Sequence, residues 1–232
     1  GNTVSDARLA GMIDWNMIVD RGRSTINNTH WASPADIVEA AAIQFKIDKW
    51  ENQPYHVEVM VEKQALEGVL IPVCRKLDVN FTANKGYSSQ SMMYKIGKRL
   101  DSYIDGGKRI AVLYLGDHDP SGLDMDRDIA DRLSMFCRSN LETKRLALKY
   151  EQIEELNPPK NPAKLSDTRA DGYVAKFGYS SWELDAVEPK ELARLVTDAV
   201  TSLRDPDLWD DSVALENQMK EDLRDFVASY RG

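Results

Sequence analysis

Ile110-Ala111-Val112-Leu113-Tyr114-Leu115-Gly116-Asp117-His118-Asp119-Pro120-Ser121-Gly122 is the stretch on which the fold turns. Its first six residues are almost unbroken apolar sequence, the pattern of a strand covered on both faces. Such a strand belongs near the centre of a mostly parallel sheet. Upstream, Val57, Val59 and Val61 recur at period two and predict a strand over residues 56–61. Leu66, Val69, Leu70, Val73 and Leu77 follow at helical spacing, with Pro72 as a point where that helix could bend. Val79, Phe81 and Ala83 then predict a second strand, and Met92, Ile96 and Leu100 a second helix. Downstream, Met125, Ile129, Leu133 and Phe136 mark a helix, and residues 144–150 alternate like an edge strand. The βαβαβαβ order predicts an α/β fold with a doubly wound, mostly parallel sheet flanked by helices.

The flanking sequence is helical in pattern. Residues 3–12 can form a short helix. Ser33-Pro34-Ala35-Asp36 supplies an N-cap, a proline at the first helical position and an acid three residues after the cap, predicting a helix to about residue 50. Residues 157–163, with three prolines, read as a connecting loop. A strand over residues 182–187 is expected next. Two helices follow, one carrying Leu192, Leu195, Val196, Ala199 and Leu203, the other Leu215, Met219, Leu223, Phe226 and Tyr230. These are expected to pack back onto the sheet. The chain thus divides into an N-terminal extension (1–50), a core (51–156) and a C-terminal strand and helices (157–232).

Composition excludes several classes. The 232 residues are 42% hydrophobic and 29% charged, the ordinary range for a folded soluble chain. No apolar run approaches the roughly 20 residues that span a bilayer, and no secretory signal opens the chain, so no membrane partner is expected and a cytoplasmic or nucleoid-associated location is. Cys74 and Cys137 lack partners at metal-ligand spacing and read as buried thiols. The net charge of −8 argues against coating nucleic acid by bulk charge. A polyanion partner must therefore be met by a local patch or a bound cation.

In open parallel sheets ligands bind beyond the carboxyl ends of the strands. Glu62 ends one strand there, and Asp117 and Asp119 follow another. In extended backbone, residues i and i+2 point the same way, so the two aspartates can share a target while His118 turns aside. If the two strands are neighbours, Glu62 joins them. Three such carboxylates repel and raise one another's pKa values unless a hard divalent cation, Mg²⁺ or Mn²⁺, relieves them. The alternative is that acids after strands cap the next helix, as Asp119 could do near Gly122.

Val61-Glu62-Lys63, Lys85-Gly86-Tyr87-Ser88 and Gly116-Asp117-His118-Asp119-Pro120-Ser121-Gly122 resemble the motifs of the Toprim domain. The closest pattern is that of the topoisomerase VI A subunit and its meiotic double-strand-break relatives. The resemblance spans about residues 55–135 and continues more weakly over 182–203. Gyrase-type and type I topoisomerases carry a third aspartate where this chain has Ser121. The resemblance implies Mg²⁺ on Glu62, Asp117 and Asp119, holding a scissile phosphate of DNA and stabilising the departing 3′-oxygen. It also implies a nucleophilic Tyr in a preceding winged-helix domain, of which residues 3–28 would be the last helix and wing, with the Tyr upstream of Gly1. A homodimer and a partner ATPase subunit are further implications. Two alternatives stand beside it: a hydrolytic Toprim nuclease of the overcoming-lysogenization-defect type, and a non-catalytic DNA-binding module.

Other residues are candidates for the same rim. Lys63 and Lys85 could neutralise phosphates and Tyr87 could stack on a base, while Lys95, Lys98 and Arg99 form either a basic face or a merely solvated one. Gly86 and Gly122 would allow a tight turn or close backbone approach. Glu183 and Asp185, on one side of the expected strand, could recruit a second metal or lie on an ordinary exposed face. His118 could touch DNA, whereas His30 and His56 read as structural. Tyr94 and Tyr114 are poor candidates for a nucleophile.

Overall fold

A computed structural model of the chain describes residues 2–14, 28, 30–84, 89–139, 141 and 143–231. Its contacts divide it into a unit of residues 1–44 with 220–232 and a unit of residues 45–219. In the first, α1 (Asn2–Leu9) is followed by α2 (Pro34–Gln44). Pro34 takes the first helical position of α2, and the Ser33 hydroxyl accepts the Asp36 N–H at 3.3 Å, as the cap pattern predicts. α2 ends at Gln44, earlier than the residue 50 expected from spacing. Residues 45–50 leave the helix because Trp50 is claimed by the sheet's core. Its ring is buried, its Nε1–H donates to the Leu77 carbonyl at 3.0 Å, and Asp48 caps its backbone N–H at 2.8 Å.

The second unit begins with β1 (Tyr55–Val61), α3 (Glu67–Leu77), β2 (Asn80–Ala83), α4 (Gln90–Asp105), β3 (Arg109–Leu115), α5 (Gly122–Cys137) and β4 (Thr143–Ala147). All four strands are parallel, in the order β2-β1-β3-β4. Crossovers in such sheets are right-handed, so a step in one direction and two in the other put α3 on one face and α4 with α5 on the opposite face. The side chains sort accordingly. Val57, Val59, Val61, Leu113 and Leu115 meet Leu66, Leu70, Cys74 and Leu77 on the α3 side. Met60, Val112 and Tyr114 meet Met93, Ile96, Leu100, Met125, Ile129, Leu133 and Cys137 on the other.

Half of the α3 face would be bare without the C-terminal segment. After α6 (Ile153–Leu156), a small antiparallel pair of β5 (Asn161–Pro162) and β6 (Ser180–Ser181) encloses α7 (Ala170–Phe177). α8 (Pro189–Thr201) then buries Leu192, Val196 and Val200 in the α3-side core, at about 1.5–3 kcal/mol per fully buried side chain. α9 (Pro206–Arg231) starts behind Asp205, whose carboxylate accepts the N–H groups of Asp207 and Leu208. Two expected strands are corrected here. Residues 182–187 pair as strand only at Trp182, bridged to His118; after extended Glu183 they form a 3₁₀ turn over Leu184–Ala186. β4 does not alternate through residue 150, because Leu146, Ala147 and Leu148 are buried in succession after a register shift at Leu115. Among the described residues no helix is long and apolar enough to cross a membrane.

The two helices on the α4/α5 face meet closely at Gly97. A Cβ built there would lie 2.5 Å from Phe136 Cβ and 3.4 Å from the Leu133 carbonyl oxygen. Gly97→Ala should therefore lose about 1–3 kcal/mol in urea unfolding despite its better helix propensity, because overpacking outweighs the roughly 1 kcal/mol propensity gain. A stabilised variant would show that the helices can move apart freely.

Candidate functional site

The sheet order places a topological switch point between β1 and β3, since the chain winds one way from β1 to β2 and the other way from β3 to β4. Open parallel sheets form their ligand crevice there, beyond the strand ends. β1 and β3 pair in register to Val61↔Leu115, and the ladder continues with Glu62 N–H donating to the Leu115 carbonyl at 2.9 Å. Glu62 and the segment from Gly116 to Asp119 therefore emerge side by side.

Each of the three acids is fixed through one oxygen by a backbone amide. Glu62 Oε2 accepts the Asp117 N–H at 2.8 Å, with the Tyr114 hydroxyl at 3.3 Å. Asp117 Oδ1 accepts the Leu184 N–H at 2.8 Å. Asp119 Oδ1 accepts the Gly122 N–H at 2.6 Å and the Ser121 hydroxyl at 3.2 Å, so Asp119 does cap α5. Among the described residues, Glu62 Oε1 and Asp119 Oδ2 have no hydrogen-bond partner, and Asp117 Oδ2 has only the Lys63 ammonium, at 3.3 Å. Gly122 is required by this geometry, since a Cβ there would sit 2.4 Å from the Asp117 carbonyl oxygen.

The carboxylates are under electrostatic load. Burial, then the charges of Asp117 and Asp119, push the Glu62 carboxyl up to about 7. Burial also raises Asp117, with the Leu184 amide and Lys63 offsetting part of the rise and Asp119 adding to it. Lys63 is held firmly charged, because Glu183 at 2.8 Å and Asp185 at 3.0 Å outweigh its partial burial. Lys63, expected to meet phosphates, thus contacts three carboxylates, and Glu183 and Asp185 reach the rim from the residue before a 3₁₀ turn and from within it, rather than from one strand face.

Behind the acids stands Arg145, which sequence reasoning missed. Its guanidinium, 9% exposed, forms a two-pronged pair with Asp126 and donates to the carbonyls of Gly116, Asp117, Gly122 and Leu148. It also lies over the Tyr114 ring at 5.3 Å. One side chain from β4 thereby holds both ends of the loop that carries Asp117 and Asp119.

The remaining candidates separate. His118 is turned aside as expected, but it is buried rather than available to DNA. Its backbone bridges Trp182, its Nδ1 lies 2.8 Å from the Tyr173 hydroxyl, and its ring packs among Tyr150, Tyr173, Phe177 and Trp182. Arg99 is committed to the fully buried Glu58 through two hydrogen bonds, and Lys98 to Asp101, while Lys95 is exposed. Burial would push Glu58 up, yet the hydrogen bonds and charges of His56 and Arg99 hold it below the usual range. His56 has the structural role expected of it, stacking on Tyr103 at 3.7 Å beside a recess of about 260 Å³ at the opposite end of the sheet. Lys85, Gly86 and Tyr87 lie outside the described residues.

Chemically, the rim offers hard oxygen donors prefixed by amides and destabilised by one another, which suits a hard cation. Among the described residues, no three His, Cys, Asp or Glu side chains converge as a ready-made cage. Mg²⁺ needs none, since it usually takes one or two carboxylates and keeps several waters. Comparison of the chain with protein-family models, curated proteins and solved structures found no match.

Two measurements check this electrostatic picture. Between pH 4.5 and 7 folded Glu62 keeps a proton that the unfolded chain releases, so stability should fall as pH rises through that window. The loss should be about 3 kcal/mol in chelator-treated buffer, and Glu62→Gln should flatten it. Equal pH slopes for the two proteins would contradict the assignment. Separately, Arg145→Met strands Asp126 and four carbonyls and should cost about 3–5 kcal/mol in urea unfolding. A loss below about 1 kcal/mol would mean that the loop holds itself.

Proposed function

We propose that this chain is a Toprim-type, Mg²⁺-dependent protein that binds DNA and takes part in cleaving its phosphodiester backbone, in the manner of the topoisomerase VI A subunit. The observation that carries the reading is the triplet of amide-pinned carboxylates at the β1/β3 switch point, delivered by the Glu62 and Asp117-His118-Asp119 motifs. Pinning engages one oxygen of each acid and leaves the outer one to a ligand on Glu62 and Asp119 and to the Lys63 ammonium on Asp117, and it removes the reorganisation that loose side chains would need.

Glu62, Asp117 and Asp119 would hold the cation, which when bound supplies positive charge to phosphate oxygens and to a departing 3′-oxygen (Mn²⁺ being an alternative). The chain's own residues do the rest. The amides of Asp117, Leu184 and Gly122 orient the carboxylates, and Arg145 fixes the loop beneath them. The described tyrosines near the acids are poor nucleophiles. Tyr114 is buried with its hydroxyl on Glu62, and burial together with the Glu62 charge raises its pKa. Tyr173 is bound to His118. On this reading the attacking Tyr is that of a winged-helix domain, as in the family the motifs resemble, with a DNA duplex cut by two copies and an ATPase subunit as partner.

Calorimetric titration of the chain with Mg²⁺ tests the reading. Uptake of one ion is expected, with affinity falling at least ten-fold in Glu62→Ala and Asp117→Ala while circular dichroism is unchanged. Fluorescence anisotropy with a labelled duplex should show Mg²⁺-strengthened binding that the same variants lose. Metal uptake indifferent to both substitutions would end the proposal.

A further inference from the structure

Resting on that reading, we propose that Lys63 is a built-in counter-ion of the site, which a divalent cation must displace from Asp117 before it can bind. Asp117 has two oxygens and both are engaged. Oδ1 is held by the Leu184 amide, a backbone group that cannot leave without moving the turn. Oδ2 is held only by the Lys63 ammonium at 3.3 Å. Any cation that binds Asp117 through its outer oxygen therefore competes with Lys63 for that atom.

The same ammonium lies 2.8 Å from Glu183 Oε2 and 3.0 Å from Asp185 Oδ1. It has a place to go when Asp117 is taken. Both of those carboxylates are more open to solvent than Asp117, at 52% and 38% exposed against 11%. Contact with them costs the ammonium less desolvation than contact with Asp117 does. The Lys63 backbone directly follows Glu62 at the end of β1, so its position is set by the sheet. Its four-carbon stem lets the charged end swing without moving that backbone. Lys63 thereby keeps neighbouring acids compatible with a folded rim when no divalent ion is present. The site's affinity is lowered by the free energy of removing it from Asp117.

Calorimetric Mg²⁺ titration of the whole chain decides the matter, after each variant is shown to melt cooperatively. Lys63→Gln should bind Mg²⁺ about ten-fold more tightly than the unaltered chain. Lys160→Gln, which removes an exposed positive charge that contacts none of these acids, should bind within two-fold of it. Lys63→Met, which keeps the aliphatic stem, should behave as Lys63→Gln and serves if the latter does not fold. Equal or weaker binding by the Lys63 variants, with the unaltered chain still taking up Mg²⁺, overturns the counter-ion role and leaves the metal reading intact. Equal tightening by Lys160→Gln overturns it too, as a bulk charge effect. Uptake by none of the proteins overturns both, whereas uptake only after Lys63 is replaced supports the counter-ion role in its strongest form.

Discussion

Parallel pairing of β1 with β3, held in register from Tyr55↔Arg109 to Val61↔Leu115, is the constraint on which the rest of the molecule depends. It makes the two strands end level, so that the residues after each are delivered to one crevice. A slip of one residue would turn every side chain of β1 to the opposite face. Val57, Val59 and Val61 would then leave the α3-side core, and Glu58 would lose Arg99 and Asn80. Both the apolar and the polar pairings of β1 enforce the same register, and Glu62 inherits its position from them.

Electrostatics at the crevice is a balance between unlike supports. Backbone amides hold the acids from within the loop, Arg145 holds the loop's carbonyls from beneath, and Lys63 offsets charge at the rim. The two cations differ in kind. Arg145 is almost fully buried and gives its guanidinium to one acid and four carbonyls, a geometry that the planar fork suits and an ammonium would not. Lys63 is partly exposed and shares its ammonium among three carboxylates, hydrogen-bonding Glu183 and Asp185, which lets it exchange partners without losing all of them.

The core of the fold was legible because hydrophobic period and run length carry it directly. The unbroken run at residues 110–115 is β3, a central strand, and the period-two valines are β1. Strand order was not legible, since alternation reports burial and not neighbours, and so the meeting of Glu62 with Asp117 stood conditional until the sheet supplied it. Glu58 misleads in the same way: a charged residue between valines reads as solvent-facing, yet it is fully buried because Arg99 arrives from α4. Arg145 was invisible because a lone arginine in an apparent edge strand looks solvated, and its acceptors are carbonyls, which no sequence pattern marks. The segment after Trp182 read as strand because its apolar residues alternate. The chain instead turns there, presenting the Leu184 amide to Asp117.

That amide makes the aim of Asp117 a property of a residue 67 positions further along the chain. The reciprocal backbone bonds between His118 and Trp182 close the same circuit two residues away from it. Length variation is consequently tolerated very unevenly around this circuit. The mostly exposed connection at residues 157–160 can grow or shrink at small entropic cost, whereas one residue inserted between Trp182 and Leu184 would rotate the donor away from the carboxylate. Length change in this region is thus confined by the geometry to one loop, and the spacing of three consecutive residues is locked to an acid encoded far upstream.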